Sequence, residues 1–353
     1  MIKIVIGGSW GDEGKGRTVA EFSNENTINI LTNGGAQRGH TADNHVFHHF
    51  GSGTKRGAIS YFFKDYLIDP IIFLKERNEL YKETGKFPIC YRDPNCRWVT
   101  PYDVITNQLI EKSRDDKHGS CGMGIWETVK RYRDIPNIPP DIDTFNNYSF
   151  EEKVYILKAI RSYCSNTLQD NGIEEPEFFN SDNIIENYIH DLNLFGYYVE
   201  ERNLKSLEGD WIFENAQGLL LNADPKNVHT TPSETGCKRI IDYLETIPFQ
   251  RIEIIYVTRP YLTRHGAGPF EECTIEELGV NPDKTNVPNE FQGTLRYGKL
   301  NKYELYNRIE EDFKYCYNKT NIMLKSLCIT HLDEMSLDVD ESKFYNVYKI
   351  NTP

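Results

Sequence analysis

Short apolar runs rich in β-branched residues recur along this chain, and they end in glycine or polar turns. The run Ile4–Ile6 leads into Gly7 and Gly8 and reads as a buried strand. Thr27 to Thr32 runs into Gly34-Gly35, and Asp210 to Leu221 passes through Gly218. Arg251 to Tyr261 and Ser326 to Asp333 have the same character and predict two further strands, the second being the last parallel one. Helical patterns predict elements over Thr18–Phe22, Ile71–Tyr81, Glu151–Leu168 and Asn183–Leu194. Pro136, Pro139 and Pro140 break the chain ahead of the last two, so residues 135–208 read as a helical insertion or cover. Residues 60–115 carry no evident chemistry and read as scaffold.

The densest chemistry lies at the start. Five glycines, at 7, 8, 11, 14 and 16, separate the first strand from the first helix. Strand, glycine loop and helix aim backbone N–H groups and a helix N-terminus at phosphate, and Lys15 adds a point charge. Asp12 and Glu13 set this loop apart, because carboxylates beside a phosphate site point to a metal ion or a proton transfer. The spacing is not that of the common P-loop: five residues separate Gly8 from Gly14-Lys15, and Gly16 stands where a hydroxyl residue belongs. The bland alternative is a strand-to-helix turn without a ligand. A second glycine loop, Gly34 to Thr41, holds His40 at the end of a neighbouring strand, a better place for a functional histidine than for a structural one. His45, His48 and His49 follow at unequal spacing and suggest a hairpin surface more than a metal site.

Composition narrows the class. The 353 residues suffice for a sizeable core and for one large α/β domain spanning 1–353. A formal net charge of −13 argues against a general nucleic-acid binder. No run approaches the length of a membrane span, and the N-terminus reads as a core strand with no signal-peptide pattern. Eight cysteines without a Cys-x-x-Cys pair read as reduced thiols of a cytoplasmic protein. Abundant Asn, Ile, Lys and Tyr fit an AT-rich genome, such as that of a virus or its host.

The opening Trp10-Gly-Asp-Glu-Gly-Lys-Gly16 resembles that of the adenylosuccinate synthetase family, and later segments extend the likeness. Gly39-His40-Thr41, Ala216-Gln217-Gly218, Thr263-Arg-His-Gly-Ala-Gly-Pro-Phe270 and Thr330-His-Leu-Asp333 all resemble family motifs. The resemblance implies an α/β fold with a large, mostly parallel central sheet, P-loop-like glycine loops at strand ends, and a helical insertion. It implies a ligase joining L-aspartate to C6 of a 6-oxopurine nucleotide through a 6-phosphoryl intermediate. Asp12 would remove the N1 proton, with His40 and Lys15 stabilising the transferring phosphoryl. Mg²⁺ would be held by Asp12 and Gly39. The purine nucleotide would meet Asp12, Gln37, Arg38, Ser120, Cys121, Arg131, Gln217 and Thr230 or Thr231. The nucleoside triphosphate would meet Trp10, Gly11, Glu13, Gly14, Lys15, Gly16, Arg17, Gly39, His40, Thr41, His331 and Asp333. Gly293, Thr294, Leu295 and Arg296 would hold L-aspartate. Arg131, with Arg133 as fallback, resembles an arginine that reaches the other subunit's substrate in a homodimer; the alternative is a solvated basic helix face.

The departures matter. Gln37-Arg38 stand where the family has Asn-Ala, and Ser120-Cys121 replace two threonines. The arginine loop near 296 is thinned and the tail is short. These favour the phage branch of the family, which takes dGMP toward 2-aminoadenine DNA, over the ordinary enzyme acting on IMP. Gly298 and His331 favour ATP as donor, with GTP possible because Asp333 is kept. A nucleotide-binding protein without catalysis is the alternative of another class, and a P-loop ATPase is disfavoured by the spacing.

Overall fold

Nine strands build the central sheet. In chain order they are β1 (Ile2–Gly7), β2 (Thr27–Leu31), β3 (Ile59–Phe62), β4 (Cys90–Arg92), β5 (Glu200–Glu201), β6 (Asp210–Gly218), β7 (Arg251–Thr258), β8 (Ile322–Ile329) and β9 (Val347–Lys349). Their spatial order is β9-β8-β7-β1-β6-β2-β3-β4-β5, and every neighbouring pair runs parallel. The structure is a computed structural model describing residues 1–115, 119–136, 138, 141–224, 226–227, 229–248, 250–283 and 293–351. The expected parallel sheet is therefore present, with one addition. The tail forms β9 beyond β8, so Ser326–Asp333 does not hold the last strand. Three residues are too few for a sequence pattern to announce a strand.

Burial explains the parallel arrangement. Ile2, Ile4 and Ile6 of β1 face one apolar cluster, while Val5 faces another with Val19, Ile255 and Val257. Both faces of these strands are covered: every residue of β2 and all of β1 but Lys3 are buried.

Seven helices follow up to residue 198: α1 (Lys15–Phe22), α2 (Pro70–Thr84), α3 (Pro101–Ser113), α4 (Ile125–Asp134), α5 (Ile142–Asn147), α6 (Phe150–Asp170) and α7 (Asp182–Tyr198). Local chemistry sets their starts. Asp69 caps α2, which has Pro70 at its first position, and capping boxes Thr100/Asp103 and Ser149/Glu152 open α3 and α6. The helices α5, α6 and α7 share one apolar cluster with Phe62 of β3, Phe73 of α2 and Tyr102 of α3.

The histidines after the second loop do lie on and beside a hairpin, His40–Ala42 paired with His45–Phe47. They are not a surface. His45 and His49 are buried, and His49 Nε2 accepts the Asp69 N–H at 2.8 Å. Burial, with the neighbouring His48 and Arg38 charges, holds the His49 imidazole well below its ordinary value. Among the described residues no helix is long and apolar enough to cross a membrane.

Candidate functional site

The loops after β1, β2, β6, β7 and β8 converge at the carboxyl ends of the strands, where open α/β sheets bind ligands. The first loop divides its two carboxylates. Glu13 turns inward: Oε1 accepts the Ser9 and Gly11 N–H groups at 3.0 and 2.9 Å, and Oε2 lies 2.7 Å from Lys15 Nζ. It braces the loop and is no free ligand. Asp12 sits at φ 58° on the cleft wall, with Oδ2 3.4 Å from His265 Nε2. The loop is fastened elsewhere through its backbone. Thr330 Oγ1 donates to the Glu13 carbonyl at 2.7 Å, Thr263 Oγ1 to that of Gly11 at 3.0 Å, and Arg259 Nε to that of Asp12. Gly16 has a steric reason: a Cβ there would stand 2.9 Å from the Thr41 carbonyl oxygen and 3.0 Å from His40 Cβ. Glycine in place of the P-loop hydroxyl lets the second loop close on α1.

That second loop carries a buried ionic cluster. Glu214 Oε1, on β6, lies 2.6 Å from both Arg38 Nη2 and His40 Nδ1. Ser52 donates its N–H to Glu214 Oε2 at 3.0 Å and its hydroxyl to Oε1. Burial opposes the Glu214 charge, but Arg38 and His40 overcome it and pull the carboxyl down to about 2. Burial, then Arg38, lowers the His40 imidazole to about 4, against the opposing pull of Glu214. At neutral pH the ring is therefore uncharged, with its proton on Nδ1 facing an ionised carboxylate and Nε2 left for the cleft.

The cleft encloses about 1470 Å³. Single-ligand pockets run to about 1,000 Å³, so this space suits more than one substrate. Its walls include Trp10, Gly11, Asp12, Gly14, Lys15 and Gly16 from the first loop, and Gln37 to Thr41 from the second, where Arg38 is not the expected purine contact because its side chain has no exposed area. Ser120, Cys121, Gln217, Thr230, Thr231, His331 and Asp333 also face it. Buried amide atoms of Gln37 (both) and Gln217 (Oε1) have no hydrogen-bond partner. Ser120 Oγ is anchored on Asn107 Oδ1 at 3.0 Å.

Other expected site residues lie elsewhere. Arg17 pairs with Glu21 and Asp43, off the cleft wall. Arg131 does not reach outward to another subunit. It is fully buried and forks onto Asp103 at 2.9 and 2.8 Å, with a third bond to the Trp98 carbonyl. The reason is helical phase: Arg131 shares the inward face of α4 with Glu127 and Thr128, whereas Arg133 is exposed and lines the cleft. Arg296 is held by the carbonyls of Gly266 and Gly268 at 2.7 and 3.2 Å, and residues 293–296 do not line the cleft. The adjoining Asn289–Gln292 lies outside the described residues, as do Lys117 and His118.

Sequence reading missed several wall residues. Asn107 comes from α3 and Arg114 from the residue just past its end, within the supposed scaffold, where one polar residue gives no signal. His265 had one, since it stands where the resembling family has valine. Arg259, pairing with Asp283 at 2.8 Å, and Glu127 were also missed. Burial raises the Glu127 carboxyl to about 7. A carboxyl raised in the folded state binds protons that the unfolded chain has lost, so its contribution to stability falls as pH rises from about 4.5 to 7. Glu127→Gln is expected to remove that slope. The urea midpoint of the variant relative to the parent should be higher at pH 8 than at pH 5, and an equal offset at both would refute the assignment.

Asp12 and Gly39, the residues expected to hold Mg²⁺, both lie on the cleft wall, which also carries Asp224, Asp283, Asp333 and Glu334. No group of three or more His, Cys, Asp or Glu side chains suited to a metal occurs among the described residues. This donor set fits a hard ion that keeps water and takes substrate phosphate oxygens, not a closed protein cage.

A parallel sheet whose carboxyl ends surround one large cleft with glycine loops, a carboxylate and a histidine defines a nucleotide-binding α/β protein. The family model "Adenylosuccinate synthetase" matches residues 4–294. The adenylosuccinate synthetase of Pelodictyon phaeoclathratiforme is 28% identical over 315 residues, covering 82% of this chain and 68% of that enzyme. That of Pseudomonas fluorescens is 28% identical over 313 residues, covering 82% and 69%. Among solved structures, fully ligated adenylosuccinate synthetase from Plasmodium falciparum superposes with TM-score 0.67 at 20% identity, covering 95% of this chain and 77% of that one. Cyanophage S-2L succinoaminodeoxyadenylate synthetase, bound to dGMP and to dATP as an energy donor, gives TM-score 0.58 at 13% identity, covering 94% and 85%. The chain belongs to the adenylosuccinate synthetase family, ligases that form a carbon–nitrogen bond with aspartate.

Proposed function

We propose that this protein ligates L-aspartate to C6 of dGMP, giving N6-succino-2-amino-2′-deoxyadenylate, with ATP favoured as donor. The observation carrying the purine part is the pair of amides. Gln37 and Gln217 face the cleft that holds Asp12 and His40, with unused donor and acceptor atoms suited to a purine edge. Asp12 takes the N1 proton, and O6 attacks the γ-phosphorus as the donor's β–γ bridge breaks. Phosphate then leaves C6 as the aspartate amine adds. Lys15 and the amides of the first loop hold the phosphoryl oxygens, and His40 faces them from the second loop, its Nδ1 side backed by Glu214. Mg²⁺ on Asp12 and Gly39 supplies charge neutralisation when bound. Ser120 and Cys121, with Thr230 or Thr231, hold the acceptor's 5′-phosphate, and Arg133 takes the place expected of Arg131. His331 and Asp333 form the donor-base end of the cleft. Aspartate binding by residues 293–296 requires this segment to turn toward the cleft.

The sequence departures at Gln37-Arg38 and Ser120-Cys121 support dGMP, as does the ligand pair of the cyanophage enzyme of the same fold. The identities of 28% to enzymes named adenylosuccinate synthetase favour a second reading, IMP with GTP. Purified protein with L-aspartate, Mg²⁺ and mixed ATP and GTP, offered IMP, GMP and dGMP separately, distinguishes them. A succinyl adduct of dGMP, read by mass spectrometry, is the expected result. An adduct of IMP alone would make the protein an ordinary synthetase.

A further inference from the structure

We propose that Arg38 is a positioning residue: it holds the Glu214 carboxylate, and Glu214 holds the His40 ring with Nδ1–H inward and Nε2 toward the cleft. The inference rests on the reading of His40 given above. The Arg38 and Glu214 side chains have no exposed area, so neither is a substrate contact. Arg38 also lies 3.0 Å from His40 Nδ1. A guanidinium only donates, and the Nδ1 proton is directed at Glu214, so this closeness is packing and not a second hydrogen bond. The coupling therefore runs through the carboxylate oxygen that both groups share at 2.6 Å.

The cation is what makes the arrangement stable. Without Arg38, the fully buried carboxylate would lose the guanidinium charge that faces it. Relieving that deficit would turn Glu214 or the ring, and either movement abolishes the single ring orientation. Arg38 supplies that charge from behind the wall, through the oxygen it shares with the imidazole. Arg38→Met should therefore lower kcat on the order of 10–100-fold, the size found for loss of a partner that orients a metal-bound histidine. Nucleotide affinity should hold, and Arg38→Lys should restore part of kcat.

The test measures kcat and nucleotide affinity for Arg38→Met, Arg38→Lys, His40→Asn and the Arg38→Met/His40→Asn pair. Ser52→Ala, which weakens the same carboxylate without removing a charge, is added as a second variant. Long-range ¹⁵N correlation spectra of histidine-labelled protein report the ring directly. The parent should show one protonated and one bare nitrogen for His40, and Arg38→Met should lose that pattern. The Arg38→Met loss should vanish in the His40→Asn background. Full additivity of the two losses, or an unchanged His40 spectrum in Arg38→Met, overturns the inference. A His40→Asn variant with full activity instead overturns the functional reading of His40, while the spectra still decide whether Arg38 orients the ring.

Discussion

Asp12→Ala is expected to lose turnover by about 10²–10⁴-fold, the range for a general base, while nucleotide binding survives. The argument is the division of labour in the first loop. Glu13 is buried and spent on Ser9, Gly11 and Lys15, so it cannot take over from Asp12. The loop's shape does not depend on the Asp12 carboxylate. Its backbone is fastened by Thr263, Thr330 and Arg259, and Arg308 donates to the Gly8 carbonyl at 3.2 Å. Single-turnover product formation and calorimetric nucleotide binding, measured on the same preparations, separate the two effects. Turnover that survives the substitution would remove Asp12 from the proton-transfer role. A parent protein that binds nucleotide but turns over none of the substrates would be a binding module.

Arg131→Ala is expected to destabilise the fold by about 3–5 kcal/mol, the cost of stranding a buried partner charge. Asp103 would be left fully buried without its cation, while still accepting the Thr100 N–H and hydroxyl at 2.7 and 2.8 Å as part of the α3 cap. Arg133→Ala should leave the urea midpoint nearly unchanged, because the side chain is exposed. It should weaken acceptor-nucleotide binding instead. Urea unfolding and nucleotide titration of both variants check this contrast. A stable Arg131→Ala protein with weakened substrate binding would return Arg131 to the site.

Much of the site was legible locally. Glycine spacing, the strand before it and the carboxylates within it identify the first loop without tertiary information, because backbone approach to phosphate restricts the residues that fit. The helices over 71–81 and 151–168 are announced by periodicity, whereas their caps at Asp69 and Ser149, and the whole of α3 capped by Thr100, are read only from the structure. The alternation of Ile2, Ile4 and Ile6 against Val5 likewise announces a strand buried on both faces.

What the sequence could not determine is which side of each element a charged residue takes. Asp12 and Glu13 are neighbours with the same chemistry, yet one faces the cleft and the other braces the loop. Arg131 and Arg133 differ by two helical positions, enough to send one into the core and the other to the cleft. His265 meets Asp12 from 253 positions away, and Glu214 meets Arg38 across 176. By itself the sequence determined five of the nine strands, the glycine loops that end them and the family likeness they carry, because those depend on local spacing. The partners of each charge were decided only by the tertiary structure, because a buried charge is compensated by whatever the folded sheet brings within about 3 Å, regardless of distance along the chain.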